Sequence, residues 1–308
     1  MIENLKTGKQ LKRFFQEEEK CLQYLIYRRW GDKPRCPKGC KRAMYKMKNP
    51  RVYRCSECKK TISVTAGTVF EKLKIPLSDM YHMMYDVATR PVPSIRFCSD
   101  YGVARQTAWS IHNRIMELVR MDNDIRVPEF GIWEFDEVYV GVCEAKMNKQ
   151  KRQKKEKIAG FAHRTPILAF YNRTTKELFG IVIPKETQTK VLTQKIIKKF
   201  IHPNSTVYSD KSKMYHGLLD YFANGKQFIH YLKQYGVGKD HSNTIEGSFR
   251  HFRDMIRTHK RLTPEHLQKY WDLYCFRYNC NQKGYSVIQK FEAMFDNINR
   301  SVNIDELD

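Results

Sequence analysis

No run of about 18 apolar residues occurs in the chain, the minimum for a bilayer-spanning helix, so no transmembrane segment is expected. The opening stretch, MIENLKTGKQLKRFFQEEEK, has no apolar signal core, which argues against secretion and for a reducing compartment. Cysteines number nine, an odd count that does not close into a disulfide framework. They are read as metal ligands or buried thiols. Acidic residues are few, 33 against 56 Lys and Arg, leaving a formal net charge of +23. Disorder is excluded by composition, since 41% hydrophobic and 13% aromatic residues can build a core. A length of 308 residues suits two or three small domains better than one large one. The positive excess is spread along the chain and strains a compact fold by self-repulsion. It calls for a polyanionic partner, nucleic acid or an anionic membrane surface.

Four cysteines form two tight pairs. Cys36 and Cys40 enclose three residues, Cys55 and Cys58 enclose two, and fourteen residues separate the pairs. Two such knuckles can turn four sulfurs toward one tetrahedral Zn2+. Residues 43–46 and 51–54 read as short strands around Lys48, Asn49 and Pro50, which makes a zinc ribbon. Cys21, Cys98, Cys143, Cys275 and Cys280 lack partners of this kind and read as core or incidental thiols.

Helical periodicity follows from Ser78 to Thr89, broken by Pro91 and Pro93. A short helix from Ser94, a turn at Gly102 and a second helix over 105–120 give a helix-turn-helix pattern. Arg105, Gln106, Trp109 and Arg114 are then expected on or near its DNA-facing side.

The segment 133–142 reads as a strand from its β-branched and aromatic content. Period two puts Glu134, Asp136, Val138 and Val140 on one face and Trp133, Phe135, Glu137 and Tyr139 on the other. Three acids within four residues of an apolar strand are costly unless paired, exposed or bound to a cation. A magnesium site would account for one of them. Alone, the segment would read as a half-exposed edge strand. A basic stretch follows over 146–157, with Lys151, Arg152 and Lys154 at its centre. It is too polar to pack and reads as a loop, either solvated or laid on phosphates.

Strands over 166–171 and 178–183, a helix over 191–200 and a strand over 205–209 come next. Strand, strand, strand, helix, strand is the order of the ribonuclease H-like α/β fold. In that topology the first and fourth strands are parallel neighbours, which brings Asp136 toward Asp210 across 73 intervening residues. A helix starting near His241 carries Glu246, with Arg250 and Arg253 on its face and Phe249, Phe252 and Ile256 as its inner stripe. Two aspartates on adjacent strands and a glutamate on a later helix can hold two Mg2+ or Mn2+ ions. Past Thr263, a plausible N-cap, and Pro264, the stripe Leu267, Tyr270, Trp271, Tyr274 and Tyr278 reads as core rather than a base-stacking platform.

These segments together resemble a DDE-type insertion-sequence transposase of the zinc-ribbon-bearing bacterial group related to Merlin transposons (ISXO-like). Cys21 to Leu25 and Arg28 to Gly31 match the lead-in to the ribbon, and Tyr53 to Cys58, Ser63 to Phe70 and Thr107 to Trp109 fit the N-terminal pattern. Glu134 to Gly141, Ser209-Asp210 with Tyr215, and His241 to Gly247 fit the three catalytic segments. His266-Leu267 with Tyr270 and Phe276 to Asn279 match the C-terminal helix. The resemblance implies a ribonuclease H-like core using magnesium or manganese, with Asp136, Asp210 and Glu246 as catalytic metal ligands. It also implies that Arg253 touches DNA near the cut. Some relatives use Asn as the third member, and Asn243 stands three residues before Glu246. A carboxylate binds magnesium better than a neutral amide, which favours Glu246. Val142-Cys143 replace the Gly-Lys common after this glycine, which leaves the role of the basic loop open.

The implied function is cleavage of transposon ends at terminal inverted repeats and joining of their 3′-hydroxyls to target DNA. The implied partners are double-stranded DNA and further copies of the chain, as a dimer or larger synaptic assembly. A catalytically idle DNA-binding regulator and a structure-specific nuclease are the rival readings. The expected location is the cytoplasm, at the nucleoid in a bacterium, or the nucleus in a eukaryote. The expected divisions are 1–70 for the N-terminal helix and ribbon, 71–126 for the helix-turn-helix, 127–285 for the catalytic domain and 286–308 for a tail.

Overall fold

The computed structural model describes residues 1–300 apart from 33, 37, 124, 142–164, 185–186, 211, 229–242 and 260–261. The chain forms two compact units, Met1–Arg120 with Gly284–Asp308, and Met121–Lys283.

In the first unit, helix α1 (Gly8–Phe14) starts at Thr7, whose hydroxyl and the Gln10 side chain satisfy each other's backbone N–H groups in a capping box. Helix α2 (Glu18–Trp30) leads into a three-stranded antiparallel ribbon, β1 (Met44–Lys46), β2 (Val52–Cys55) and β3 (Thr61–Ser63). Helices α3 (Leu77–Thr89), α4 (Ile95–Tyr101) and α5 (Arg105–Glu117) follow. Gly102 closes α4 in the left-handed region at φ 66°, where a side chain would be strained. The core is aromatic. Phe15 meets Tyr81 at 4.9 Å and Tyr24 at 5.2 Å, edge to face.

Residues 286–300 do not form a separate tail. Ser286 caps a helix at Val287–Ala293 with a second capping box, and Ile288, Phe291, Met294, Phe295 and Ile298 are buried. Phe291 lies 5.5 Å from Phe15 and 5.8 Å from Tyr81. The reason is visible in the spacing of those apolar residues, which is helical and needs a core to face.

The second unit is built on a five-stranded sheet. Its strands are β4 (Ile132–Val140), β5 (Thr165–Asn172), β6 (Glu177–Val182), β7 (Thr206–Asp210) and β8 (Asn224–Phe228), in the order β6-β5-β4-β7-β8. The pairs β6-β5 and β5-β4 are antiparallel, and β4-β7 and β7-β8 are parallel. The acid-bearing strand β4 is therefore central, not an edge strand. Strand β8, Asn-Gly-Lys-Gln-Phe, has nothing in its composition that favours a strand; pairing with β7 makes it one.

Helix α6 (Lys190–Phe200), capped by the Thr189 hydroxyl, covers one sheet face. There Trp133, Phe135, Phe170, Phe179, Ile197, Phe200 and Val207 pack into one apolar cluster. Helices α7 (Asn243–His259) and α8 (Pro264–Gln282) belong to the other side. Trp271 of α8 is fully buried and stands edge-on to Phe252 of α7 at 4.7 Å. Leu267, Tyr270 and Tyr274 are buried too, so this stripe is core. Gly180 permits the close fit: a Cβ there would meet the Leu168 carbonyl oxygen and Trp271 Nε1 at 2.7 Å. Helix α8 also serves the edge strand β6. Asn279 bonds both the N–H and the C=O of Leu178, and Gln268 accepts from the Val182 N–H. Edge backbone groups left bare would be a pairing hazard.

Candidate active site and metal centre

Parallel pairing of β4 with β7 sets Glu134 opposite Tyr208. Two residues further along each strand come Asp136 and Asp210, at the same end of the sheet and on the same face by the alternation of the strands. Helix α7 brings Glu246 to this face in its first turn. Asp136 senses the other two carboxylates. Burial holds Asp136 well above the ordinary carboxylate range, the charge of Asp210 adds to this, and Glu137 and Glu246 add further. A hydrogen bond from the Glu137 N–H at 2.7 Å opposes the rise. Asp210 is oriented by the Ser212 N–H at 3.2 Å.

A carboxylate whose proton affinity is raised by carboxylate neighbours is what a divalent cation would neutralise. The donors are hard oxygens, which fits magnesium or manganese. They are spread more widely than the cysteines: among the described residues, only the four-cysteine group has all its ligand atoms within 4.8 Å of one another.

Two further acids on β4 enter the picture. Glu137 faces the apolar side with Phe135, and burial followed by the charge of Asp210 pushes it up to about 7. Tyr215 packs edge-on to Phe135 at 5.0 Å and is held far above its usual range by burial and by the charges of Glu137, Asp136 and Asp210. Glu134 is completely buried and ion-paired to Arg173, Oε1 to Nε at 2.6 Å. The sequence signalled all three acids by their density on one strand. It could not show that Arg173 neutralises the first.

The ribbon brings Cys36, Cys40, Cys55 and Cys58 together, with the Sγ atoms of Cys36 and Cys58 at 3.5 Å. Tetrahedral zinc with bonds near 2.3 Å requires sulfurs about 3.8 Å apart, so the residues fit the ion. A hydrogen bond from the Lys60 backbone is the main influence drawing Cys58 down to about 7, toward the thiolate that metals bind. Trp30 stands edge-on to Tyr53 at 5.2 Å beside the cluster.

The expected DNA contacts divide. Arg105 and Gln106 are exposed on the first turn of α5, and Trp109 is half-buried. Gln106 lines a cleft of about 300 Å³ with Lys72, Lys74 and Thr107. Arg114 does not belong on an outward face. It is 3% exposed and donates to the carbonyl oxygens of Val69 at 3.2 Å and Glu71 at 2.6 Å. Helical spacing put it on the outer side, but the loop after Phe70 folds over it. On α7, Arg250 and Arg253 are exposed and share a shallow groove with Asp254 and Arg257. Lys151, Arg152 and Lys154 lie outside the described residues, as does the side chain of Asn243.

Residues 130–279 match the model of the ISXO2-like transposase domain, and residues 16–61 match that of the transposase zinc-ribbon domain. The chain thus carries an ISXO2-like transposase domain behind a transposase zinc ribbon. An uncharacterized protein in transposable element ISH50 of Halobacterium salinarum is 23% identical over 269 residues, covering 83% of this chain and 89% of that protein. A chain in the structure of a simian T-cell lymphotropic virus intasome with PP2A regulatory subunit B56 gamma aligns at 10% identity and a TM-score of 0.26. That alignment covers 60% of this chain and 61% of the other, a likeness too slight to argue from. No described helix is long and apolar enough to cross a membrane.

Proposed function

We propose that this protein binds the terminal inverted repeats of its element, cuts the transposon ends and joins their 3′-hydroxyls to target DNA. The observation that carries the reading is the meeting of Asp136 and Asp210, on neighbouring parallel strands, with the helix that bears Glu246. Asp136, Asp210 and Glu246 would hold two Mg2+ or Mn2+ ions. When bound, these would supply activation of a water or 3′-hydroxyl and charge stabilisation of the leaving 3′-oxygen. The half-buried carboxylates are held in place by strand pairing and helix packing. Arg250 and Arg253 lie along the same helix as Glu246 and are suited to the phosphates beside the cut. The ribbon, loaded with one Zn2+, and the exposed first turn of α5 would read the ends. The positive excess makes binding steeply salt-dependent. Two ends must be cut in concert, so a dimer or larger assembly forms on DNA.

The test is incubation of the purified protein with labelled element ends, Mg2+ and a target plasmid, beside Asp210→Ala. Joined products that vanish in the variant support the reading. Cleavage without joining would make the protein a nuclease. Tight end-binding with no cleavage in either protein would make it a regulator.

A further inference from the structure

Three acids crowd the middle of β4, and the proposed metal site uses only Asp136. Glu134 lies two residues before it on the same face, has no exposed surface, and spends both carboxylate oxygens on protein partners. Oε1 accepts from Arg173 Nε at 2.6 Å. Oε2 accepts from the Ile245 N–H at 2.9 Å. Arg173 is itself fixed, since its N–H donates to the Ile132 carbonyl at 2.8 Å and its guanidinium lies 4.5 Å from the Tyr208 ring centre.

Ile245 sits in the first turn of α7, immediately before Glu246. First-turn N–H groups have no partner within their own helix, and a carboxylate there also meets the positive end of the helix dipole. Glu134 thus ties the start of α7 to the strand that carries Asp136. With both oxygens engaged, it is poorly placed to be a metal ligand.

We propose that Glu134 is a positioning residue: through the Ile245 N–H it sets the first turn of α7 against β4, so that Glu246 faces Asp136 and Asp210. This rests on the reading of those three carboxylates as a divalent-cation site. Removing Glu134 would let the first turn shift and scatter the ligand set, without touching the ligands themselves. Outer partners of metal ligands are commonly worth about 10–100-fold in metal affinity.

The test uses the full-length, zinc-loaded protein without DNA, with Mn2+ binding read by electron paramagnetic resonance and amide exchange read at residues 245 and 246. Glu134→Ala should weaken Mn2+ binding about tenfold or more and speed exchange at those two amides, at a temperature well below its melting point. Glu134→Gln keeps an oxygen for the Ile245 N–H and should recover most of the affinity and protection. Asp210→Ala should abolish binding while leaving exchange at 245 and 246 slow.

A folded Glu134→Ala with unchanged Mn2+ affinity or unchanged exchange overturns the proposal. Equal losses in the Gln and Ala variants do too, because they would show that the charge, not the tie to Ile245, is what matters. Should Glu134→Ala fail to fold, Glu134→Asp decides. It keeps the charge but is one methylene too short to reach both partners, so unchanged affinity and exchange would again sink the idea. Mn2+ binding untouched by Asp210→Ala would instead refute the carboxylate site, and the exchange data would still judge the hold of Glu134 on α7.

Discussion

Arg114 donates to the carbonyl oxygen of Glu71 at 2.6 Å, which ties α5 to the loop that follows the ribbon. Its guanidinium is buried and serves two carbonyls and the Ser110 hydroxyl. Arg114→Ala leaves those acceptors dry and should cost about 2–4 kcal/mol of stability. Arg105→Ala and Gln106→Ala, both on the surface, should leave the melting temperature unchanged and weaken end-binding. Thermal melts beside gel shifts separate the two cases. An Arg114 variant with native stability and lost DNA binding would contradict this division.

Asp136→Ala and Asp210→Ala should each cut end cleavage by about a thousandfold or more, about 4 kcal/mol of barrier. Binding to the ends should persist, because the ribbon and the first turn of α5, proposed to read the ends, are left unchanged in both variants. Comparing Glu246→Gln with Asn243→Ala identifies the third ligand. The larger fall in cleavage is expected for Glu246, with the half-saturating Mn2+ concentration raised as well.

Stripping zinc with a chelator, or changing the fully buried Cys55 to Ser, should unfold the ribbon and abolish binding to the ends. Without the ion, four thiols lie together with little core around them; among the described residues it amounts to Met44, Tyr53 and a few half-buried neighbours. Metal analysis and circular dichroism should register loss of one zinc per chain with most of the helix and sheet signal intact.

Arg277 on α8 is buried, its Nη1 finds no acceptor among the described residues, and Nη2 leans on the Met255 sulfur. Burial pushes its guanidinium down to about 10. A base whose folded value lies below its unfolded value costs stability when charged. The penalty is therefore full below about pH 10 and fades only as pH climbs toward the unfolded value near 12.5. Arg277→Met should raise stability at neutral pH by on the order of 1–3 kcal/mol. A lower melting temperature would mean that the charge has a partner.

Much of this architecture was legible in the chain. The cysteine spacing announced the ribbon because four thiolates must meet one small ion. Alternation on β4 and the later helix separated core from carboxylates, because strand and helix periods are local properties. The apolar stripe of α8 declared itself as core for the same reason. Pairing and approach were decided only in three dimensions. Strand β8 exists because β7 offers it an edge, and Arg114 turned inward because a distant loop supplied carbonyls. The stretch after 286 became part of the first unit because that unit's aromatic core was open to it. Glu134 found Arg173 and Ile245 39 and 111 residues away, partners that no local pattern can name. Local sequence determines which faces are apolar and which residues can ligate. Only the folded chain, by bringing remote groups within hydrogen-bond reach, decides which charges are neutralised and which carboxylates gather.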